Sequence, residues 1–246
     1  MLILAFDTTS EVGGVGIFRD GDCLARVAND GPAKRYSVSL FHMVDQAIEQ
    51  AKVRHGVPVR GLADVGLVAV ATGPGSFTGI RVGLAAAQGW AKAFGLPVCG
   101  VSVLEALVDA AQIRTDWATS ILDARRGEFF VGLFRRQPEG DSPYQPSYLP
   151  AAEGWVLKPA ELGPFLTSHL PEGAVATCVV RGHDQAALAL RENLSSSFPW
   201  QAVSGTLVES VARLGFRDYR TGRQQAGGDL DAYYIRRSDA EINWKE

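Results

Sequence analysis

The sequence predicts an α/β protein of two similar lobes, each built on a mixed sheet. Three observations carry that reading. Residues 1–112 alternate strand and helix signals in the order β-β-β-α-β-α-β-α. Residues 119–135 (TSILDARRGEFFVGLFR) then repeat residues 3–19 (ILAFDTTSEVGGVGIFR) at a fixed spacing of 116. Asp123 falls on Asp7, Val131 on Val15, Gly132 on Gly16 and Arg135 on Arg19, as internal duplication requires. Finally, 246 residues with 46% hydrophobic and 21% charged side chains can bury a sizeable core.

The elements follow in order. Residues 2–6 are an apolar strand ending at Asp7, and Thr8, Thr9 and Ser10 form a hydroxyl-rich turn. Strands over 12–18 and 23–27 flank the Asp20-Gly21 hairpin turn. A helix from Ser37 to Val53 carries Leu40, Val44, Ala47, Ile48 and Ala51 on one stripe. Residues 65–71 are apolar throughout, as a strand covered on both faces must be. The loop Thr72–Thr78 leads into a helix that runs from Gly79 to Phe94 and stops at Gly95 and Pro97. After the strand 98–101, Ser102 and Glu105 have the spacing of a capping box. In the second half a strand is expected at 175–181, with helices at 159–169, 184–193 and 207–220. The last of these has Thr206 and Glu209 as a second capping box. Prolines 138, 143, 146 and 150 mark an exposed loop, and Gly227-Gly228 opens a polar tail. The expected division is a first lobe at 1–103, a second at 104–226 and a tail at 227–246.

Composition excludes several function classes. Twenty-four basic against 27 acidic residues argue against a protein whose main task is gripping phosphate backbone. No run of about 18 apolar residues exists to span a membrane. Cys23, Cys99 and Cys178 have neither zinc nor disulfide spacing, so a reduced, cytoplasmic chain is expected. The four histidines are scattered, and no metal site is expected.

Two constellations stand out. The first is the loop Gly73-Pro74-Gly75-Ser76-Phe77-Thr78-Gly79 at a strand-to-helix junction, together with Asp7. Such a loop either offers backbone N–H groups to an anion or simply lets a helix pack closely. Gly73, Gly75, Ser76 and Asp7 are therefore weak cofactor-binding candidates, with Asp123 as a partner for Asp7 from the other lobe. The paired parts of a nucleotide site are incomplete, because Ala-Arg-Arg rather than glycines follows Asp123. No catalytic residue is assigned. The second constellation is the helix 79–94, whose charged and amide side chains, Arg81, Gln88 and Lys92, share one narrow slice. A helix apolar nearly all round is buried nearly all round. One sheet covers one side, so the remaining surface needs either the second lobe or another chain, and a protein interface on this helix and on 37–53 is favoured over pure core. Its candidate residues are Phe41, Val44, Ile48, Ile80, Gly83, Ala87 and Trp90. On that reading Gly83→Arg or Ala87→Glu abolishes dimerisation and leaves the fold intact.

The opening ILAFDTTSE resembles the bacterial TsaB family, also called YeaZ. So do the stretch GPGSFTGIRVGLAAAQGWAKAFGLPVCGVSVLEAL, the later ILDARRGEFF and the late YYIR. The pieces stand in the family's order across nearly the whole chain. One departure is Tyr36-Ser37, where the family usually has His-Ser. The resemblance implies an actin-like, sugar-kinase-like (ASKHA) fold of two duplicated RNase H-like lobes. It implies a non-catalytic role in forming N6-threonylcarbamoyladenosine at position 37 of ANN-reading tRNAs. TsaD is then the transferase that carries metal and nucleotide, TsaB its dimerisation partner, and TsaE an ATPase that joins them. Members homodimerise when alone, and the dimer surface lies on the two first-lobe helices. The chain is expected to touch tRNA only indirectly and to hold no cofactor of its own beyond weak adenine nucleotide at a shared interface. The rival readings are an ATP-dependent enzyme of the same fold, acting through Asp7 and the 73–79 loop, and a glycoprotease-like peptidase.

Overall fold

The structure is a computed structural model. It describes residues 1–29, 35–56, 59–138, 148–151, 154–193, 198–225, 229–233 and 235. The prolines at 143 and 146, Gly227-Gly228 and the end of the tail lie outside the described residues.

The first sheet contains β1 (Leu2–Asp7), β2 (Gly14–Arg19), β3 (Asp22–Ala28), β4 (Leu67–Gly73) and β5 (Val98–Ser102), in the order β3-β2-β1-β4-β5. β1, β2 and β3 form an antiparallel meander, and β4 and β5 run parallel to β1. The second sheet contains β6 (Trp117–Arg125), β7 (Glu128–Arg136), β8 (Tyr148–Pro150), β9 (Trp155–Leu157), β10 (Ala176–Arg181) and β11 (Trp200–Val203). Its order β8-β7-β6-β10-β11 reproduces the first sheet strand for strand, with β9 added on β7. Both lobes are therefore copies of one plan, as the 116-residue repeat predicts. The copy is not perfect in register. Gly16 pairs with Ala5, whereas Gly132 pairs with Ser120, so the strand bearing Asp123 has slipped by one residue against its neighbour.

Among the described residues six α-helices complete the fold: α1 (Tyr36–His55), α2 (Phe77–Phe94), α3 (Val103–Ala111), α4 (Pro159–His169), α5 (Gln185–Asn193) and α6 (Val208–Arg220). Alternate residues of a strand face opposite sides of its sheet, and this sorts the apolar residues into three layers. Leu4, Phe6, Val68 and Val70 face α1 and α2 on the outside of the first sheet. Ile121, Val131, Cys178 and Val180 face α4 and α5 on the outside of the second. Ile3, Ala5, Ala69, Leu122 and Val179 face a shared middle layer that holds α3 and α6. Here the chain crosses over. α6 comes from the second half, yet it packs on β1, β4 and β5 of the first sheet, while α3 packs against β6, β7 and β8. Gly215 of α6 makes this possible, because a Cβ there would stand 2.5 Å from the Ala69 side chain.

Both expected capping boxes are absent. Ser102 is the N-cap of α3 but its side chain makes no cap hydrogen bond, and Glu105 instead accepts from Arg217 of α6 at 2.5 Å. At α6 the N-cap is Leu207, and Glu209 pairs with Arg26 on β3. In each case an arginine distant in the same chain, invisible to local spacing, takes the glutamate.

The cysteines make a simple test. Cys23 is exposed, whereas Cys99 and Cys178 are buried, and burial pushes both buried thiols up to about 12. Titration of the native chain with a thiol reagent should modify one cysteine, and denaturation should release the other two. Reaction of all three in the native chain would contradict this packing.

Candidate functional site

The cleft between the lobes is organised around Asp7. β1 is apolar up to this residue, so the strand delivers a fully buried carboxylate to the end of the first sheet. One oxygen, Oδ1, accepts from the Thr9 N–H (2.8 Å) and the Thr9 hydroxyl (2.6 Å). The other, Oδ2, accepts from Nη2 of Arg181 at 3.1 Å. Arg181 ends β10, a strand otherwise made of Ala, Thr, Cys and Val, and is itself only 4% exposed. Its guanidinium also donates to Ser10 Oγ (2.9 Å), Thr9 Oγ1 (3.3 Å) and the Val12 carbonyl (3.4 Å). An arginine of the second lobe thus fills the turn after β1. A buried carboxylate requires a counter-charge, and here the chain supplies it from its own second lobe.

This geometry corrects the expectation for Asp123. Its slipped strand leaves it half-exposed. Its carboxylate accepts from the Arg125 N–H at 2.7 Å, within its own hairpin, and its backbone N–H donates to Asp184. The residue that meets Asp7 across the cleft is Arg181. Sequence reasoning missed it, although the one available signal was a charged residue closing an apolar strand. Two neighbours adapt to the pair. Tyr36, at the start of α1, is buried beside Gly13, and burial followed by the charge of Asp7 pushes its acidity down, so the phenol stays neutral. His183 is pushed below the usual imidazole range by burial and then by Arg181, which keeps it neutral at pH 7.

The glycine loop packs against the same turn. Ser76 N–H donates to the Thr9 carbonyl (2.7 Å), and the Thr8 hydroxyl donates to the Gly79 carbonyl (2.7 Å). The Ser76 hydroxyl accepts from the Gly79 N–H at 3.3 Å, capping α2. A Cβ on Gly75 would lie 2.5 Å from the Thr9 oxygen. Of the two readings the sequence left open, close packing is the one these contacts support. The loop's glycines are spent on backbone approach, and the N–H groups of Ser76 and Gly79 have protein partners.

The second constellation is resolved differently from expectation. Val44, Ile48, Ile80, Gly83, Ala87 and Trp90 all lie in the outer core of the first lobe, with Leu4, Phe6, Val68 and Val70. They do not form its surface. Trp90 stands edge-on between Phe6 and Phe41, at 5.5 Å from each ring. Of the seven candidates only Phe41 is exposed, at 60%. The face that α2 turns outward is a different stripe, Phe77, Arg81, Ala85 and Gly89, with Arg81 stacked 3.9 Å over the Phe77 ring. Val38 and Phe41 extend the apolar surface onto α1. Apolarity around α2 marks an interior helix because α1 and the Leu62–Asp64 turn pack on it beside the sheet, and Leu230 adds to the cover, its carbonyl accepting from Gln88 Nε2 at 2.8 Å.

Among the described residues no group of three or more His, Cys, Asp or Glu is placed to hold a metal ion. Nor is any helix among them long and apolar enough to cross a membrane. Two mixed sheets that repeat one strand order in two lobes have the fold of the actin-like, sugar-kinase-like class.

Comparisons with known proteins agree and go further. The family model described as "TsaD: tRNA N6-adenosine threonylcarbamoyltransferase" matches residues 31–212. The chain is 33% identical to the tRNA threonylcarbamoyladenosine biosynthesis protein TsaB of Escherichia coli over 57% of this chain and 58% of that protein. It is 30% identical to the Bacillus subtilis protein of the same name, over 55% and 56%. The chain therefore spans a little over half the length of the curated relatives it matches. Its fold is that of YeaZ from Pseudomonas aeruginosa (TM-score 0.72, 22% identity, 95% of this chain and 99% of that one). The chain belongs to the family that the TsaD model describes.

Proposed function

We propose that this chain is a non-catalytic partner subunit in the formation of N6-threonylcarbamoyladenosine on tRNA, working in the cytoplasm beside a TsaD-type transferase and a TsaE-type ATPase. Family membership supports the pathway. The observation that supports the non-catalytic role is the Arg181–Asp7 pair. In a two-lobed nucleotide enzyme a carboxylate placed like Asp7 would hold a divalent cation or its water. Here it is saturated by a buried guanidinium and by Thr9. A cation or phosphate entering the turn would have to displace Arg181 from four oxygens. The partner surface in this reading is the exposed stripe Val38, Phe41, Phe77, Arg81, Ala85 and Gly89. It has the aromatic-plus-arginine composition of interface centres, and its small residues allow close helix approach.

Reconstitution tests the reading. tRNA modification by the TsaD- and TsaE-type proteins should require this chain. The double variant Phe41→Glu/Ala85→Glu should lose partner association by about 100-fold or more and lose modification with it. Its melting temperature should stay near wild type, because both side chains are exposed. Calorimetry with Mg²⁺ and ATP on the chain alone should show no binding. Micromolar ATP binding that disappears in Asp7→Ala would turn the reading toward an ATP-dependent enzyme. Wild-type association by the double variant would remove this face as the partner surface.

A further inference from the structure

The described residues after α6 pack on both lobes. Gln225 pairs antiparallel with Val98 at the edge of β5, donating to its carbonyl at 2.8 Å. Leu230 is 4% exposed, sunk in the first-lobe core against Gly100, and its carbonyl accepts from Gln88 of α2. Tyr233 N–H donates to the Thr72 carbonyl (3.0 Å) at the end of β4, and the Tyr233 carbonyl stands over Gly73. The Tyr233 hydroxyl then accepts from the Gly154 N–H (3.1 Å) in the second lobe, where Ile235 also packs. Gln225, Leu230, Tyr233 and Ile235 therefore reach β5, α2, β4 and the second lobe between them.

We propose that residues 229–233, with Ile235, are a strap, a built-in peptide ligand seated at the carboxyl ends of β4 and β5. In open α/β sheets ligands bind in the crevice at those strand ends. Here the chain fills that place with its own backbone, anchored by Leu230 and Tyr233. The strap holds α2 at Gln88, on the same flank as Arg81 at the edge of the exposed stripe, and ties it to the second lobe, so it sets the position of the partner-facing helix. This last step rests on the function proposed above. It also gives the late YYIR sequence a role, since its first tyrosine is the link between lobes.

Hydrogen exchange on the full chain tests the strap. The Tyr233 and Gly154 amides should be protected in the wild type. In Leu230→Asp both should exchange at least about 100-fold faster while β1 and β6 amides stay slow. Affinity for the TsaD-type partner should fall about tenfold in the same variant. Gln88→Ala, which removes one hydrogen bond and no core side chain, should accelerate the same two amides about fivefold and serves if Leu230→Asp does not fold. Loop-like exchange at Tyr233 and Gly154 in the wild type would overturn the strap. Local loosening with unchanged partner affinity would overturn its control of α2. Failure of the wild type itself to bind a TsaD-type partner would overturn the proposed function, and with it the control of α2. The wild-type exchange result would still decide the strap.

Discussion

Replacing Arg181 by alanine should lower the unfolding free energy by about 3–5 kcal/mol, because it leaves a buried carboxylate without its counter-charge. Asp7 is fully buried, and its Oδ2 has no other hydrogen-bond donor than Arg181 among the described residues. The same guanidinium satisfies Ser10, Thr9 and the Val12 carbonyl, so those groups are also left to solvent that must enter the cleft. Deleting both charges should be milder. In Arg181→Met/Asp7→Asn the uncompensated ion is gone, and the loss should be clearly smaller than the sum of the single losses. Urea denaturation curves of the four proteins measure this directly. A single-variant loss under about 1 kcal/mol, the range of an exposed ion pair, would mean that the cleft is wetter than the packing indicates.

The second large effect is expected from one methyl group. Gly79→Ala should cost about 3 kcal/mol or prevent folding, although alanine is normally the better helix residue by about 1 kcal/mol. A Cβ at Gly79 would sit 1.9 Å from the Thr8 carbonyl oxygen, a backbone atom that cannot rotate away. To make room, α2 would have to lift off the turn that holds Asp7. The matched control is Gly89→Ala, on the same helix with open space around it, which should stabilise the chain by roughly 0.5–1 kcal/mol. Thermal melts that give both substitutions the same sign would refute the close approach. The logic extends to Gly83→Arg and Ala87→Glu. A Cβ on Gly83 already meets the Thr8 hydroxyl at 2.4 Å, and Ala87 is 0% exposed. Those substitutions disrupt the core, so Phe41 and Ala85 are the positions that test the surface.

The helices show where local reading succeeds. Gly56 and Gly95 end α1 and α2 in the left-handed conformation, and both ends could be placed from sequence within two residues. The duplication was legible too, because strands of matching length and apolar content recur at one spacing. The site was less legible. Asp7 and the 73–79 loop were visible as neighbours of a strand end, but Arg181 lies 174 residues from Asp7. No periodicity links two residues that meet only when two sheets close. Six of the seven candidate interface residues proved to be core for a related reason. Apolarity around α2 marks burial without naming what buries it, and part of the cover, Leu230, lies more than a hundred residues downstream.

The sequence by itself determined the two-lobed α/β plan, the sealed ends of the main helices and the family resemblance, because each depends on short-range pattern or contiguous motif. Only the tertiary structure decided that α3 and α6 share a middle layer, that Arg181 neutralises Asp7, and that the C-terminal segment crosses both lobes. All three depend on contacts between distant parts of the chain. Their partners are chosen by which buried charge needs a counter-charge and which apolar face needs a cover once the sheets are in place.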